Sequence, residues 1–143
     1  FAEKTSTDIH LKRLKFVDLY LDTYPYGSHT TASEAIRMGV PLITIMGKSF
    51  ASRVASSILV TVGLKKLITK NTKEYTRTAI DLVKNESKIK NLKDHLRNPK
   101  NLRYLFDSKK FTKDLENIFF KLAKNEKFWT RIHKFDNLAI VNS

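Results

Sequence analysis

The chain has 143 residues, 41% hydrophobic and 29% charged, with no cysteine and a net charge of +13. That length suits one compact domain, and the missing cysteines exclude disulfides, thiolate catalysis and cysteine zinc sites. No apolar run reaches the roughly 18 to 20 residues of a membrane span, and a reducing, cytoplasmic setting is the expected one.

Phe1-Ala2-Glu3 reads as the end of a strand that begins before the chain does. His10 and Arg13 are three apart, so on a helix they share a face. That face suits a nucleotide base, and equally a solvated basic turn with Lys12 and Lys15. Val17-Asp18-Leu19-Tyr20-Leu21-Asp22 is a short apolar run with β-formers, bounded by the turn-like Tyr24-Pro25-Tyr26-Gly27, and reads as a buried strand. Asp18 and Asp22 would share one face of it, as an acid and base pair or with Asp22 as a turn former. Thr31 to Met38 reads as a short helix stopped by Gly39, and Pro41-Leu42-Ile43-Thr44-Ile45-Met46 as a second strand with proline tolerated at its start. Strand, helix, strand is the βαβ pattern of a parallel sheet.

A longer helix is expected over residues 49–62, with Phe50, Val54, Ile58 and Val62 as its apolar stripe and Gly63 at its C-cap. Beyond Gly63 the periodicity is helical. Tyr75, Ala79, Leu82 and Val83 fit one helix after Asn71-Thr72. Ile89, Leu92 and Leu96 fit a second that ends before Pro99. Phe111, Leu115, Ile118, Phe119 and Leu122 fit a third, started by Asp107-Ser108. Residues 128–143 lack periodicity, although Leu138-Ala139-Ile140-Val141 suits a short strand.

Charge is uneven. Residues 1–63 carry a net of +2 and residues 64–143 a net of +11, with only Arg77, Arg97, Arg103 and Arg131 as arginines in the second part. A lysine-rich half of this kind is either a solvated face or a surface for nucleic acid or acidic protein. Trp129, beside Lys127 and Arg131, suits base stacking or a core anchor.

The segment richest in chemistry is Gly27-Ser28-His29-Thr30-Thr31, between a strand end and a helix start. Ligands of open α/β sheets bind beyond the carboxyl ends of the strands. Free N–H groups at a helix N-terminus form an anion site there. Thr31-Ala32-Ser33-Glu34 also spells a capping box, with Thr31 as N-cap and Glu34 reaching back, and the two roles are compatible. Gly47-Lys48-Ser49 lacks the glycine five positions earlier that a phosphate loop needs, since that position is Leu42. The histidines at 10, 29, 95 and 133 have no ligand spacing, and no metal is expected.

Several blocks in this order carry a family resemblance. They are Leu21-Asp22-Thr23-Tyr24-Pro25-Tyr26-Gly27-Ser28-His29-Thr30-Thr31, then Ala35-Ile36-Arg37-Met38-Gly39-Val40-Pro41, then Ser49-Phe50-Ala51-Ser52-Arg53-Val54-Ala55, then Val62-Gly63-Leu64. Together with Phe106 to Thr112 and Leu115-Glu116, this resembles the protein O-GlcNAc transferases, in particular bacterial homologues attached to tetratricopeptide repeats.

The resemblance implies an α/β fold: the Rossmann-like C-terminal half of a two-lobed (GT-B type) glycosyltransferase, with a helical C-terminal extension. It implies residues 1–124 as the nucleotide-sugar lobe, incomplete at its N-terminus, and residues 125–143 as an unassigned tail. It further implies a UDP-sugar donor, a protein acceptor held by an upstream lobe, no metal and no nucleic-acid partner. By the resemblance, His10 and Arg13 fall on the uridine contacts, and His29, Thr30 and Thr31 on the diphosphate and sugar contacts. The ribose aspartate of the family falls on Glu34, one methylene longer, and a lysine near the ribose falls on Thr7. No catalytic residue is expected in this chain, because the lysine that neutralises the leaving diphosphate lies upstream of Phe1 in the family.

Overall fold

The computed structural model describes residues 3–124. Phe1 and Ala2 of the expected first strand end, Trp129 and the expected strand at 138–141 lie outside these residues. The chain divides into two compact units, Phe1–Phe106 and Asp107–Ser143.

The first unit runs α1 (Thr7–Leu14), β1 (Tyr20–Leu21), α2 (Thr30–Arg37), β2 (Leu42–Ile45), α3 (Val54–Thr61), β3 (Ile68–Thr69), α4 (Thr72–Val83), α5 (Glu86–Arg97) and α6 (Pro99–Phe106). The three strands form a parallel sheet in the order β1-β2-β3. Tyr20 pairs with Leu42 and Leu21 with Ile43, while Thr44 pairs with Ile68 and Ile45 with Thr69. All four residues of β2 are buried, as a central parallel strand covered on both faces requires.

Local chemistry sets the helix ends. Gly39 and Gly63 adopt φ of +79° and +76°, a region open to glycine without a Cβ penalty. Past Gly39 the Val40 N–H donates to the Ala35 carbonyl, and past Gly63 the Leu64 N–H donates to the Leu59 carbonyl. These are Schellman closures, and each is followed by an apolar residue that turns back into the core. The Asn71 side chain accepts from the Glu74 N–H and starts α4. The core gathers Ala32 and Ile36 of α2, Leu42 of β2, Ala55, Ile58 and Leu59 of α3, and Leu82, Ile89, Leu92 and Leu96 of α4 and α5.

The structure corrects several expectations. The third strand of the sheet comes from Ile68–Thr69, inside the stretch expected to be purely helical. The first strand shortens to Tyr20–Leu21, leaving Asp18 exposed and ion-paired to Lys93 at 2.6 Å. Asp18 and Asp22 are therefore not an acid and base pair. The helix expected from residue 49 starts at Val54, because Ser49 and Ser52 close a turn ahead of it: the Ser52 hydroxyl donates to the Ser49 carbonyl at 3.0 Å. Phe50 consequently leaves the apolar stripe and stands exposed. Pro99, read as a stop, also opens α6 at a position where its missing N–H is harmless.

The second unit contains α7 (Ser108–Ala123), whose expected start holds: the Asp107 carboxylate accepts from the Lys110 N–H. No helix among the described residues is long and apolar enough to cross a membrane.

Candidate functional site

The carboxyl ends of β1 and β2 lead into two loops, residues 22–29 and 46–53, that come together. The Ala51 carbonyl accepts from the Gly27 N–H at 3.2 Å and meets the His29 Nε2 at 3.3 Å. A carbonyl only accepts, so the ring nitrogen that meets Ala51 carries its proton and donates. The His29 ring stacks on Tyr26 at 5.3 Å between centroids and meets Phe50 edge-on at 6.0 Å.

His29 is the N-cap of α2, yet its side chain makes no capping bond. The first intrahelical bond runs from Ser33 N–H to the His29 carbonyl. The N–H groups of Thr30, Thr31 and Ala32 precede it and so lie outside the helical ladder. The expected capping box does not form. Thr31 is already inside the helix, and its Oγ1 accepts from the Tyr20 hydroxyl at 3.3 Å, which leaves the threonine O–H to donate elsewhere. Glu34 turns its carboxylate toward His10 of α1, at 3.9 Å. An uncapped helix start with positive dipole charge is an anion site by geometry alone.

The structure thus brings His10 and Glu34 together, and Thr30 and Thr31 stand one turn before Glu34 on α2. Arg13 is a turn along α1 from His10, and its Nη1 donates to the Glu3 carbonyl at 2.9 Å. Thr7 opens the same helix.

Sequence reading missed what holds the loop. Tyr20 and Asp22 point to the same side of β1, two residues apart. The Tyr20 hydroxyl bonds Ser28 Oγ at 2.9 Å. The Asp22 carboxylate accepts from the N–H groups of Thr23 and Ser28 and from the Thr44 hydroxyl. Burial, then the Asp22 and Tyr20 charges, push the Tyr75 phenol above its ordinary pKa, so it remains a donor to the Asp22 carbonyl. The period-two spacing of Tyr20 and Asp22 was the available signal, and the turn chemistry of Asp22 obscured it.

The basic half is partly neutralised within the chain: Lys88 pairs with Asp81, Lys93 with Asp18, and Arg97 with Asp94.

A parallel α/β sheet with loops and a helix start gathered at its carboxyl edge defines a Rossmann-like α/β protein, a class that takes its ligands at that edge. The chain belongs to glycosyl transferase family 41, whose family model matches residues 1–115. A SPINDLY protein of Solanum lycopersicum, described as a probable UDP-N-acetylglucosamine–peptide N-acetylglucosaminyltransferase, is 38% identical over 110 residues, covering 77% of this chain and 12% of that protein. The SEC protein of Arabidopsis thaliana, with the same description, is 32% identical over 123 residues, covering 85% of this chain and 13% of its own length. Among solved structures, a mutant O-GlcNAc transferase of Thermobaculum terrenum superposes with a TM-score of 0.75 at 35% identity, over 83% of this chain and 23% of that one. The chain spans about an eighth of the length of these curated relatives.

Proposed function

We propose that this chain supplies the nucleotide-diphosphate site of a UDP-sugar-dependent protein glycosyltransferase, with UDP-N-acetylglucosamine as donor and a Ser or Thr hydroxyl as acceptor. The observation that carries this is the uncapped start of α2 at the carboxyl edge of the sheet, in a chain of family 41. The diphosphate lies against the N–H groups and hydroxyls of Thr30 and Thr31, with the His29 ring at its edge. His10, Arg13 and Glu34 take the uridine and ribose. Transfer of the sugar releases UDP, and donors aimed at the developing charge lower the barrier by several kcal/mol. Residues 1–124 act as the donor lobe. The acceptor site and the remaining catalytic groups belong to other parts of the protein, an upstream lobe and tetratricopeptide repeats, so this chain alone binds and does not turn over.

Titration of the chain with UDP tests this. Amide shifts cluster at residues 10–13 and 28–35, GDP competes less well, and EDTA leaves the affinity unchanged. Shifts confined to the lysine-rich helices, with a steep salt dependence, would instead identify a polyanion surface.

A further inference from the structure

We infer that Asp22 is the positioning residue of the diphosphate loop: it holds the loop in its binding shape without touching the ligand. The inference rests on the proposed donor site and adds a residue to it. Asp22 is 7% exposed, directly after β1. Its Oδ1 accepts from the Thr23 N–H at 2.9 Å and the Ser28 N–H at 2.7 Å, and its Oδ2 accepts from the Thr44 hydroxyl at 2.6 Å.

The register explains why these groups meet. Tyr20 lies opposite Leu42 and Leu21 opposite Ile43, so Asp22 arrives one step further, beside Thr44. The Asp22 N–H donates to the Ile43 carbonyl and continues the ladder. One carboxylate therefore ties both ends of the Thr23–Ser28 turn to the central strand. Charge-assisted bonds to N–H groups are about twice as strong as neutral ones, which suits a carboxylate here better than an amide.

The consequence falls on the next three residues. With the Ser28 N–H committed to Asp22, the donors left for a ligand begin at His29 and continue through Thr30 and Thr31. Tyr20 restrains the same stretch through Ser28 Oγ and Thr31 Oγ1. A buried carboxylate with three donors of its own beneath a diphosphate site also keeps its negative charge turned to those donors instead of the ligand.

The test compares Asp22→Ala, Asp22→Asn and Thr44→Val in the full chain, reading UDP affinity by calorimetry, backbone order by NMR and melting temperature. Asp22→Ala should weaken UDP binding about ten- to hundredfold, the range expected for losing a bond to a charged group. It should also lower backbone order at residues 28–31 before any ligand is added. Asp22→Asn keeps one oxygen for the two N–H groups and should recover most of the affinity. Thr44→Val removes only the third donor and should weaken binding by less. Should Asp22→Ala fail to fold, the Asn and Val variants decide: wild-type affinity and loop order in Thr44→Val would overturn the positioning role. A folded Asp22→Ala with unchanged order at 28–31 and unchanged affinity would overturn it directly. A wild-type chain that does not bind UDP, while Asp22→Ala still loosens residues 28–31, would overturn the donor-site proposal and leave the positioning intact.

Discussion

The Tyr75 hydroxyl donates to the Asp22 carbonyl at 2.9 Å across 53 positions of sequence, fastening α4 to the end of β1. The same residue whose carboxylate organises the loop thus has its carbonyl held by a separate helix. Sheet, loop and α4 form one support beneath the α2 start. A site built this way is stiff where it presents donors, which lowers the ordering cost when an anion binds.

Removing that hydroxyl should be felt in stability. Tyr75→Phe loses one half-buried hydrogen bond and should cost about 0.5–1.5 kcal/mol in denaturant unfolding. The pH dependence has a definite sign. The folded chain holds the phenol proton beyond its ordinary pKa of 10.0, whereas the unfolded chain releases it there. This contribution is whole below pH 10 and is lost as pH rises through the raised value. The alkaline fall in stability should therefore be shallower in Tyr75→Phe than in wild type. Parallel alkaline limbs would show that the Tyr75 environment is misassigned.

Gly27 is held by space and not by backbone conformation. A Cβ there would stand 3.1 Å from Asp22 Oδ2 and 3.2 Å from the Ala51 carbonyl. Neither neighbour is free to retreat, since the Asp22 carboxylate is held by three donors across its two oxygens and the other neighbour is backbone. Gly27→Ala should displace the loop, weaken UDP binding severalfold and cost about 1–3 kcal/mol, as overpacking does. Unchanged affinity measured by calorimetry would show that the loop tolerates a shift.

Gly39 offers the opposite case. Its φ of +79° is costly for any side chain, while a Cβ would meet only Arg97 Cγ at 3.7 Å. Gly39→Ala should cost about 1–2 kcal/mol, the left-handed penalty, with UDP affinity unchanged. Equal loss of affinity in Gly39→Ala and Gly27→Ala would mean that general destabilisation, not loop shape, governs binding.

These contrasts follow what could be read from sequence. Gly39, Gly63, Asn71 and Asp107 announced helix ends because their roles are local: a positive φ or a side chain bonding three residues on. β2 was legible because a strand buried on both faces is a continuous apolar run. Ile68–Thr69 was not, since two residues carry no period and owe their strand to the pairing with β2. The Thr31–Glu34 box failed for a tertiary reason. The Tyr20 hydroxyl donates to the threonine oxygen, and Glu34 faces a histidine from α1. The loop sequence pointed to an anion site, but its scaffold of Asp22, Thr44 and Tyr75 spans three elements and becomes visible only once the chain is folded.

His29 tests the site itself. Its ring touches Tyr26, Phe50 and the Ala51 carbonyl, all on the surface loops, and it contributes no side-chain cap to α2. Stacked pairs of this kind are worth about 0.5–1.5 kcal/mol beyond their burial, and exposure of the Tyr26 and Phe50 partners reduces that here. His29→Ala should therefore leave the melting temperature nearly unchanged. With a diphosphate against the His29 ring and its loop, the same substitution removes a contact to a charged group and should weaken UDP binding about tenfold or more. In the complete protein it should cut turnover correspondingly. His29→Ala that melts well below wild type would make the ring a structural fastener between the two loops. A stable variant with wild-type UDP affinity would place the diphosphate elsewhere on the sheet edge.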